Sequence, residues 1–341
     1  MKHTFIYICA SFLLLALVAC NHKELCLHYP HRAKIRINVD WSEFPEEKPS
    51  GMTVMTYSET DAIPPQTILS NTLDHVYVNL EEGNYHTLVF NQSVSEFGSF
   101  IFRDMDKWEL AEVVAANVSS RWYEGRADEE RVVTEPEWLG IDSDGTVEVT
   151  PEMAEISSEH MGSAPKEEVE YVIATHVPRN IIYTMHVEVH IPGGVYNLRS
   201  ARAALGGLSE GVKFSTLRRD NDIVTQLLEE WTLTVDKENP VQGTLTTSFQ
   251  CFGLPHSHQG IPEENHFLLS MLLVDNKTQV DVPFEVGHLF ERDEDSTTLT
   301  LYLELTLPEV LPDVKPEGGS GSGFDATVED WGEEIEHEIQ M

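Results

Sequence analysis

Positive charge is scarce in this chain. Its 341 residues carry 22 Lys and Arg against 58 Asp and Glu, a formal net charge of −36. A phosphate backbone is held by clustered cations that displace its counterions, and no basic face is legible here, so nucleic acid is excluded as a partner class. Docking on anionic lipid through protein charge is excluded for the same reason. Cysteine is nearly absent, at four residues, which excludes a disulfide-dense scaffold. Beyond residue 20, no run approaches the roughly eighteen apolar residues of a membrane-spanning helix. No Gly-x-Gly-x-x-Gly or phosphate loop follows a strand pattern. The Gly/Ser run near the end does not form Gly-x-Ser-x-Gly at a strand-to-helix elbow. Apolar residues, by contrast, are plentiful: 41% of the chain is hydrophobic and 9% aromatic. That is enough for a packed core and rules out a disordered acidic chain. At about 150 residues per domain, two domains are expected.

The N-terminus carries the most specific signal. Lys2 and His3 precede an almost wholly apolar stretch from Phe5 to Leu17. That is the length of a signal-peptide core and too short to span a bilayer. It runs into Leu17-Val18-Ala19-Cys20, which resembles the lipobox of bacterial lipoproteins. The chemistry is coherent. Small Ala19 suits a peptidase pocket, and the Cys20 thiol at the new N-terminus takes the lipid. Stable anchoring needs more than one acyl chain, because a single chain binds only marginally. Lipidation is therefore expected at Cys20, with palmitate among the acyl chains. Cys26 and Cys251 are the other two thiols of the mature chain. Outside the cytoplasm they could pair, but their spacing leaves that open.

The remainder reads as strands. Ala33, Ile35, Ile37, Val39 and Trp41 alternate with polar residues, a period of two with one buried face. Met52–Tyr57 is a second strand. Val76–Leu80 and Tyr85–Phe90 flank Glu81-Glu82-Gly83-Asn84, which predicts a hairpin with a four-residue loop. Trp108, Leu110, Val113, Val114 and Val118 suggest a short helix within 104–119, and Thr146–Thr150 suggests a strand. Further strand patterns cover 169–177, 182–191, 196–205, 212–217, 230–235, 243–252, 267–274 and 279–286. A final run over 299–307 is the cleanest, with Leu299, Leu301, Leu303, Leu305 and Leu307 on one face. Many short strands with turns about every ten residues predict antiparallel β-sandwiches. A doubly wound α/β fold is not expected, since long helices do not alternate with the strands.

The chain divides at its small-residue turns. Residues 1–19 are the signal peptide. Residues 20–165 form an N-terminal sandwich ending at Gly162-Ser163-Ala164-Pro165, and 166–312 form a C-terminal one. Residues 313–341 hold a flexible Gly318–Gly323 linker and an acidic tail that still carries Phe324, Val328, Trp331, Ile335 and Ile339. Alternation of Ile335, His337, Ile339 and Met341 fits an edge strand. The spacing of Val328, Trp331, Ile335 and Ile339 fits a helix nearly as well.

Metal and catalytic candidates each have a plainer reading. His186, Glu188 and His190 share a strand face and could ligate zinc. Their neighbours Met185, Val187, Val189 and Ile191 supply the core face, so the trio is expected to face water. His256-Ser257-His258, with His266, could make three ligands, against a solvated loop. Cys26, His28, His31 and His22 are the densest soft-ligand cluster, against a lead-in to the first strand that matches no closed zinc pattern. Paired carboxylates discriminate nothing in so acidic a chain. Trp108, Trp122, Tyr123 and Trp138 could form a glycan platform, but core packing is the commoner use of such residues. No catalytic residue, cofactor or metal is assigned.

Several short motifs together resemble a family. After the lipobox come Leu25-Cys26-Leu27-His28-Tyr29-Pro30-His31, Val39-Asp40-Trp41, Leu80-Glu81-Glu82-Gly83-Asn84-Tyr85 and Phe90-Asn91. The second half has Val177-Pro178-Arg179, Val195-Tyr196-Asn197-Leu198-Arg199-Ser200-Ala201 and Leu205-Gly206-Gly207-Leu208. The end has Gly323-Phe324-Asp325 and Val328-Glu329-Asp330-Trp331. This pattern resembles the fimbrillin-like lipoproteins of Bacteroidales, in particular a subgroup related to fimbrial anchor and accessory subunits. The resemblance implies an all-β fold of two tandem antiparallel sandwiches of transthyretin-like, Greek-key topology. It also implies outer-membrane anchoring at the cell surface through lipid on Cys20, fimbrial subunits as partners, and no enzymatic activity. Major fimbrillins expose an arginine cleavage site after an N-terminal strand. Here Arg32 and Arg36 lie in or beside a strand too close to the anchor, which favours an anchor or accessory subunit over a shaft subunit. The alternative reading is a glycan- or ligand-binding surface lipoprotein of a nutrient-uptake system, and a metal-dependent hydrolase stands third.

Overall fold

The alternation from Ala33 to Val39 forms strand β1 (Arg32–Val39), with Ala33, Ile35, Ile37 and Val39 buried and the residues between them facing out. The structure, a computed structural model, describes residues 32–45, 48–60, 63–123, 130–154, 171–255, 265–292, 299–316 and 337–339. After β1 come β2 (Met52–Ser58), β3 (Gln66–Ser70), β4 (His75–Glu81) and β5 (Gly83–Asn91). Next are β6 (Phe100–Arg103), β7 (Glu112–Ala115), β8 (Val132–Val133) and β9 (Gly140–Val149). β10 (Tyr171–His176), β11 (Arg179–Asn180), β12 (Tyr183–Ile191) and β13 (Leu198–Ser209) follow. Short strands β14 (Gly211–Lys213) and β15 (Arg218–Arg219) precede β16 (Ile223–Leu228), β17 (Trp231–Val235) and β18 (Gly243–Cys251). The chain finishes with β19 (His266–Leu273), β20 (Gln279–Glu285), β21 (Phe290–Arg292), β22 (Thr300–Thr306) and β23 (His337–Ile339).

These strands build two sandwiches. The first pairs a three-stranded sheet, β10-β1-β4, with a five-stranded one, β11-β9-β5-β2-β3. The second pairs a six-stranded sheet, β21-β22-β12-β18-β17-β23, with a five-stranded one, β20-β19-β13-β16-β8. Most ladders are antiparallel. β1 with β10, β12 with β22, and β16 with β8 are parallel. The leucine ladder lies in β22, where Leu301, Leu303 and Leu305 are buried and Tyr302 and Glu304 face outward. The expected all-β tandem sandwich is therefore the observed architecture. The turn at Gly162–Lys166 lies outside the described residues.

A fifth sheet joins the halves. β6 and β7 come from the first half of the chain, and β14 and β15 from the second, in the order β15-β14-β7-β6. The five-stranded sheet of the first sandwich is consequently covered on both faces. Val54, Tyr85, Val89 and Val147 point into the first core. Met55, Leu88, Phe90 and Ile141 point into a second core shared with the C-terminal sandwich. Double burial explains why Met52–Tyr57 is buried at every position, where a half-solvated strand would alternate. Phenylalanines fill the junction: Phe90 stacks with Phe214 at 6.4 Å and Phe100 packs on Phe252 at 5.8 Å.

Two expectations are corrected. Glu81–Asn84 does not close a hairpin, because β4 pairs with β1 while β5 pairs with β2 and β9 in the facing sheet. Gly83, at φ +149°, lets the chain turn from one layer to the other, and Leu80 and Tyr85 enter the same core from opposite sheets. Apolar alternation on both sides of a turn suits such a corner as well as a hairpin. Nor is 104–119 a helix. Asp104–Leu110 makes hydrogen-bonded turns, with the Lys107 N–H donating to Asp104 O at 3.0 Å and the Ala111 N–H to Lys107 O at 2.8 Å. β7 then pairs with β6 and β14. Val113 and Val114 are both fully buried, one on each face, as adjacent β-branched residues in a covered strand should be.

Candidate functional site

Sheet edges are where a β-sandwich meets other chains, because their backbone N–H and C=O groups are unpaired. The C-terminal sandwich guards one of its edges. β20, at the margin of its sheet, carries Asp281, Pro283 and Glu285 within seven residues, and charge and proline both oppose strand addition. The margin of the first sandwich differs. β3 reads Gln-Thr-Ile-Leu-Ser, without charge or proline, and Leu69 is 62% exposed. At the edge of the six-stranded sheet the chain's own terminus is seated: β23 lies antiparallel on β17, with His337 opposite Leu233, Glu338 opposite Thr232 and Ile339 opposite Trp231. Of the two readings of the tail, residues 337–339 adopt the edge strand. The tail aromatic Trp331 lies outside the described residues.

A charged cluster sits on the sheet that joins the halves. Glu210 is fully buried, and its carboxylate accepts from Arg103 at 2.7 Å and from Arg131. Arg103 also reaches Glu112 at 3.3 Å. The bond to Glu210 raises the Arg103 pKa, whereas burial pushes that of Glu112 up against the pull of Arg103. Both arginines come from the first half of the chain and Glu210 from the second, so the cluster fixes the two halves in register. Glu210 Oε2 has no partner among the described residues.

A second buried set has the order of a nucleophile, base and orienting acid. Thr87 Oγ1 lies 2.8 Å from His176 Nε2, and His176 Nδ1 lies 3.3 Å from Asp142 Oδ2. Burial would raise the Asp142 pKa. The His176 ring 3.3 Å away and hydrogen bonds from the Asp144 and Val177 N–H groups outweigh it and hold the carboxyl at about 2. Thr87 is 0% and His176 1% exposed, so the hydroxyl cannot meet a substrate from solution. A Cβ at residue 145 would collide with both side chains, which is why glycine stands there. The trio instead ties β10 of one sheet to β5 and β9 of the other.

The remaining candidates separate. Cys20, Cys26, His22, His28 and His31 lie outside the described residues, as do His256, Ser257 and His258. His186 stacks on Tyr302 and bonds Ser248 at 2.6 Å. His190 Nε2 reaches Glu304 at 3.0 Å and Glu188 at 3.6 Å. This is the outward polar face the sequence indicated. His266 meets Tyr123 and Glu130 at 3.4 Å each. Among the described residues no three His, Cys, Asp or Glu side chains are placed to hold a metal ion. The four aromatics do not share one platform. Trp138 packs on Phe44, Trp122 lies against the Arg202 guanidinium, Tyr123 is buried, and Trp108 stacks on His86. The Cys251 thiol is free and buried, and burial pushes its pKa up to about 12. No helix among the described residues is long and apolar enough to cross a membrane.

Solved structures share this architecture. A candidate adhesin from Bacteroides ovatus superposes with a TM-score of 0.53 at 16% identity, over 89% of this chain and 98% of that one. The fimbrial anchor protein Mfa2 from Porphyromonas gingivalis gives a TM-score of 0.48 at 11% identity, over 81% of this chain and 90% of that one. A second candidate adhesin from Bacteroides ovatus gives 0.45 at 10% identity, over 81% and 89%. The first of these carries the fold expected from the fimbrillin-like resemblance. No curated protein matches the sequence. A family model described as a domain of unknown function, DUF5119, matches residues 19–229, well over half of the chain, and the chain belongs to that family.

Proposed function

We propose that this chain is a non-enzymatic surface lipoprotein, anchored in the outer membrane by lipid on Cys20, that serves as a fimbrial anchor or accessory subunit in assembly and adhesion. The observation that carries the reading is β23 on β17: a sheet edge of this protein accepts an added strand. Strand addition supplies affinity through main-chain hydrogen bonds and selects partners through alternate side-chain pockets. A tail tethered to its own sandwich has a high effective concentration for that edge. It holds the edge until a partner strand replaces it, and the acidic residues around it keep unpaired tails from aggregating. The lipobox and the fold shared with a Bacteroides candidate adhesin support the same placement.

Replacing Cys20 by Ala and deleting residues from Gly318 onward test the two parts separately. The Cys20→Ala protein should leave the membrane fraction, and fimbriae of cells carrying it should detach into the medium. The truncated protein should stay on the membrane but melt lower or lose fimbrial subunits from its complexes. Membrane retention of unlipidated Cys20→Ala protein refutes the anchor. A truncated protein that melts and assembles normally refutes the edge.

A further inference from the structure

A cleft of about 860 Å3 opens where β2 ends and β5 begins, within the roughly 300–1,000 Å3 usual for small-ligand sites. Tyr57 and His86 are opposite residues on β2 and β5. Trp108, from the turn that precedes β7, stacks on His86 at 4.8 Å and 6° and tilts against Tyr57 at 5.4 Å. That pins the indole in place before any ligand arrives. Pro64 and Pro65 line the cleft together with Glu59, Asp106, Lys107 and Glu109. The Tyr57 side chain is 3% exposed, and among the described residues its hydroxyl donates only to the Met55 thioether at 3.5 Å. A thioether is a weak acceptor, so this donor at the cleft is nearly unsatisfied, and a buried polar group in that state costs free energy.

The chemistry of the lining selects among ligands. Three carboxylates against one lysine repel phosphates and other anions. A lipid tail would strip water from those exposed carboxylates and the lysine without replacing its hydrogen bonds. Cationic side chains would satisfy the carboxylates but bring no acceptor for the Tyr57 hydroxyl or the Lys107 ammonium. A sugar meets every demand, since each hydroxyl both donates and accepts while the ring's C–H face packs on proline and indole. We propose that this cleft binds a neutral saccharide. Asp106, Glu109 and Glu59 accept from its hydroxyls, Tyr57 and Lys107 donate to them, and Trp108 with Pro64 and Pro65 forms the apolar wall.

The test is titration calorimetry of the full-length protein. Probes are neutral hexasaccharides of α-1,4-glucose, β-1,3-glucose, β-1,4-xylose and β-1,4-mannose, with hexa-arginine as the competing cation. At least one hexasaccharide should bind with an affinity that does not change between low and high salt. Trp108→Ala should weaken it about tenfold or more, the size of one good contact. Tyr57→Phe and Asp106→Asn, which keep shape and should melt as the parent does, should each weaken it several-fold. Those two variants keep the test decisive should Trp108→Ala fail to fold. Failure of all four sugars to bind overturns the proposal. So does binding that is unchanged in Tyr57→Phe and Asp106→Asn, or salt-sensitive binding of hexa-arginine alone.

Discussion

Replacing Asp142 by Asn should remove an acid-dependent part of this protein's stability. The side chain keeps its shape but can no longer be a carboxylate for His176, Asp144 and Val177. The fall of the Asp142 pKa from its ordinary 3.8 to about 2 corresponds to about 2.4 kcal/mol, at about 1.36 kcal/mol per pK unit. The side chain is 16% exposed, and screening by water trims this to about 2 kcal/mol. The folded pKa lies below the unfolded one. The contribution is therefore complete above about pH 4 and is lost as the pH falls towards 2. Urea unfolding followed by tryptophan fluorescence, at neutral pH and at steps down to about pH 2, reads the effect. Asp142→Asn should be about 2 kcal/mol less stable than the parent at neutral pH, and the two curves should converge in acid. A gap of equal size at every pH, or none at neutral pH, would refute the assignment of this carboxylate as the charged brace between sheets.

Removing the buried carboxylate at the junction, Glu210→Ala, should cost about 1–3 kcal/mol. That is below the usual 3–5 for a broken buried pair, because Arg103 and Arg131 are about one-third exposed and can rehydrate; a neutral urea midpoint would refute the lock between halves. Leu303→Ala, at a 1% exposed core position, should cost about 2–5 kcal/mol, and a smaller loss by the same assay would show the β22 face to be loosely packed. With Cys9, Cys20 and Cys26 replaced by Ser, iodoacetamide should leave Cys251 unlabelled at pH 8 until urea is added, because the thiol is buried and its pKa stands at about 12. Stoichiometric labelling of the native protein would contradict that.

The secondary structure was legible wherever one side of a strand faces water. β1 and β22 alternate cleanly because solvent selects every second residue, and period two has only one structural meaning there. Composition alone excluded a polyanion as partner, since charge needs no fold to be counted. Sequence could also narrow residues 337–339 to an edge strand or a helix but not choose, because three or four apolar residues satisfy both periods.

Tertiary structure decided everything that depends on which strand lies beside which. Glu81–Asn84 looks like a hairpin loop and is a corner, because the partners of β4 and β5 sit in different sheets. Val113 and Val114 look helical beside Trp108 and Leu110 until β6 and β14 pair with their strand along both edges. Glu210, Arg103 and Arg131 are ordinary charges in a very acidic chain. Only the shared sheet brings a residue of the second half within 2.7 Å of one from the first. Likewise Thr87, Asp142 and His176 are separated along the chain by tens of residues and carry no motif. They become one network because two sheets pack face to face, and on the opposite face of β2 and β5 the turn before β7 lays Trp108 over Tyr57. Local sequence encodes period and turn, which are properties of a few neighbouring residues. Long-range juxtaposition is set by the competition of every strand for a partner and every apolar face for cover, and that competition is settled only in the folded chain.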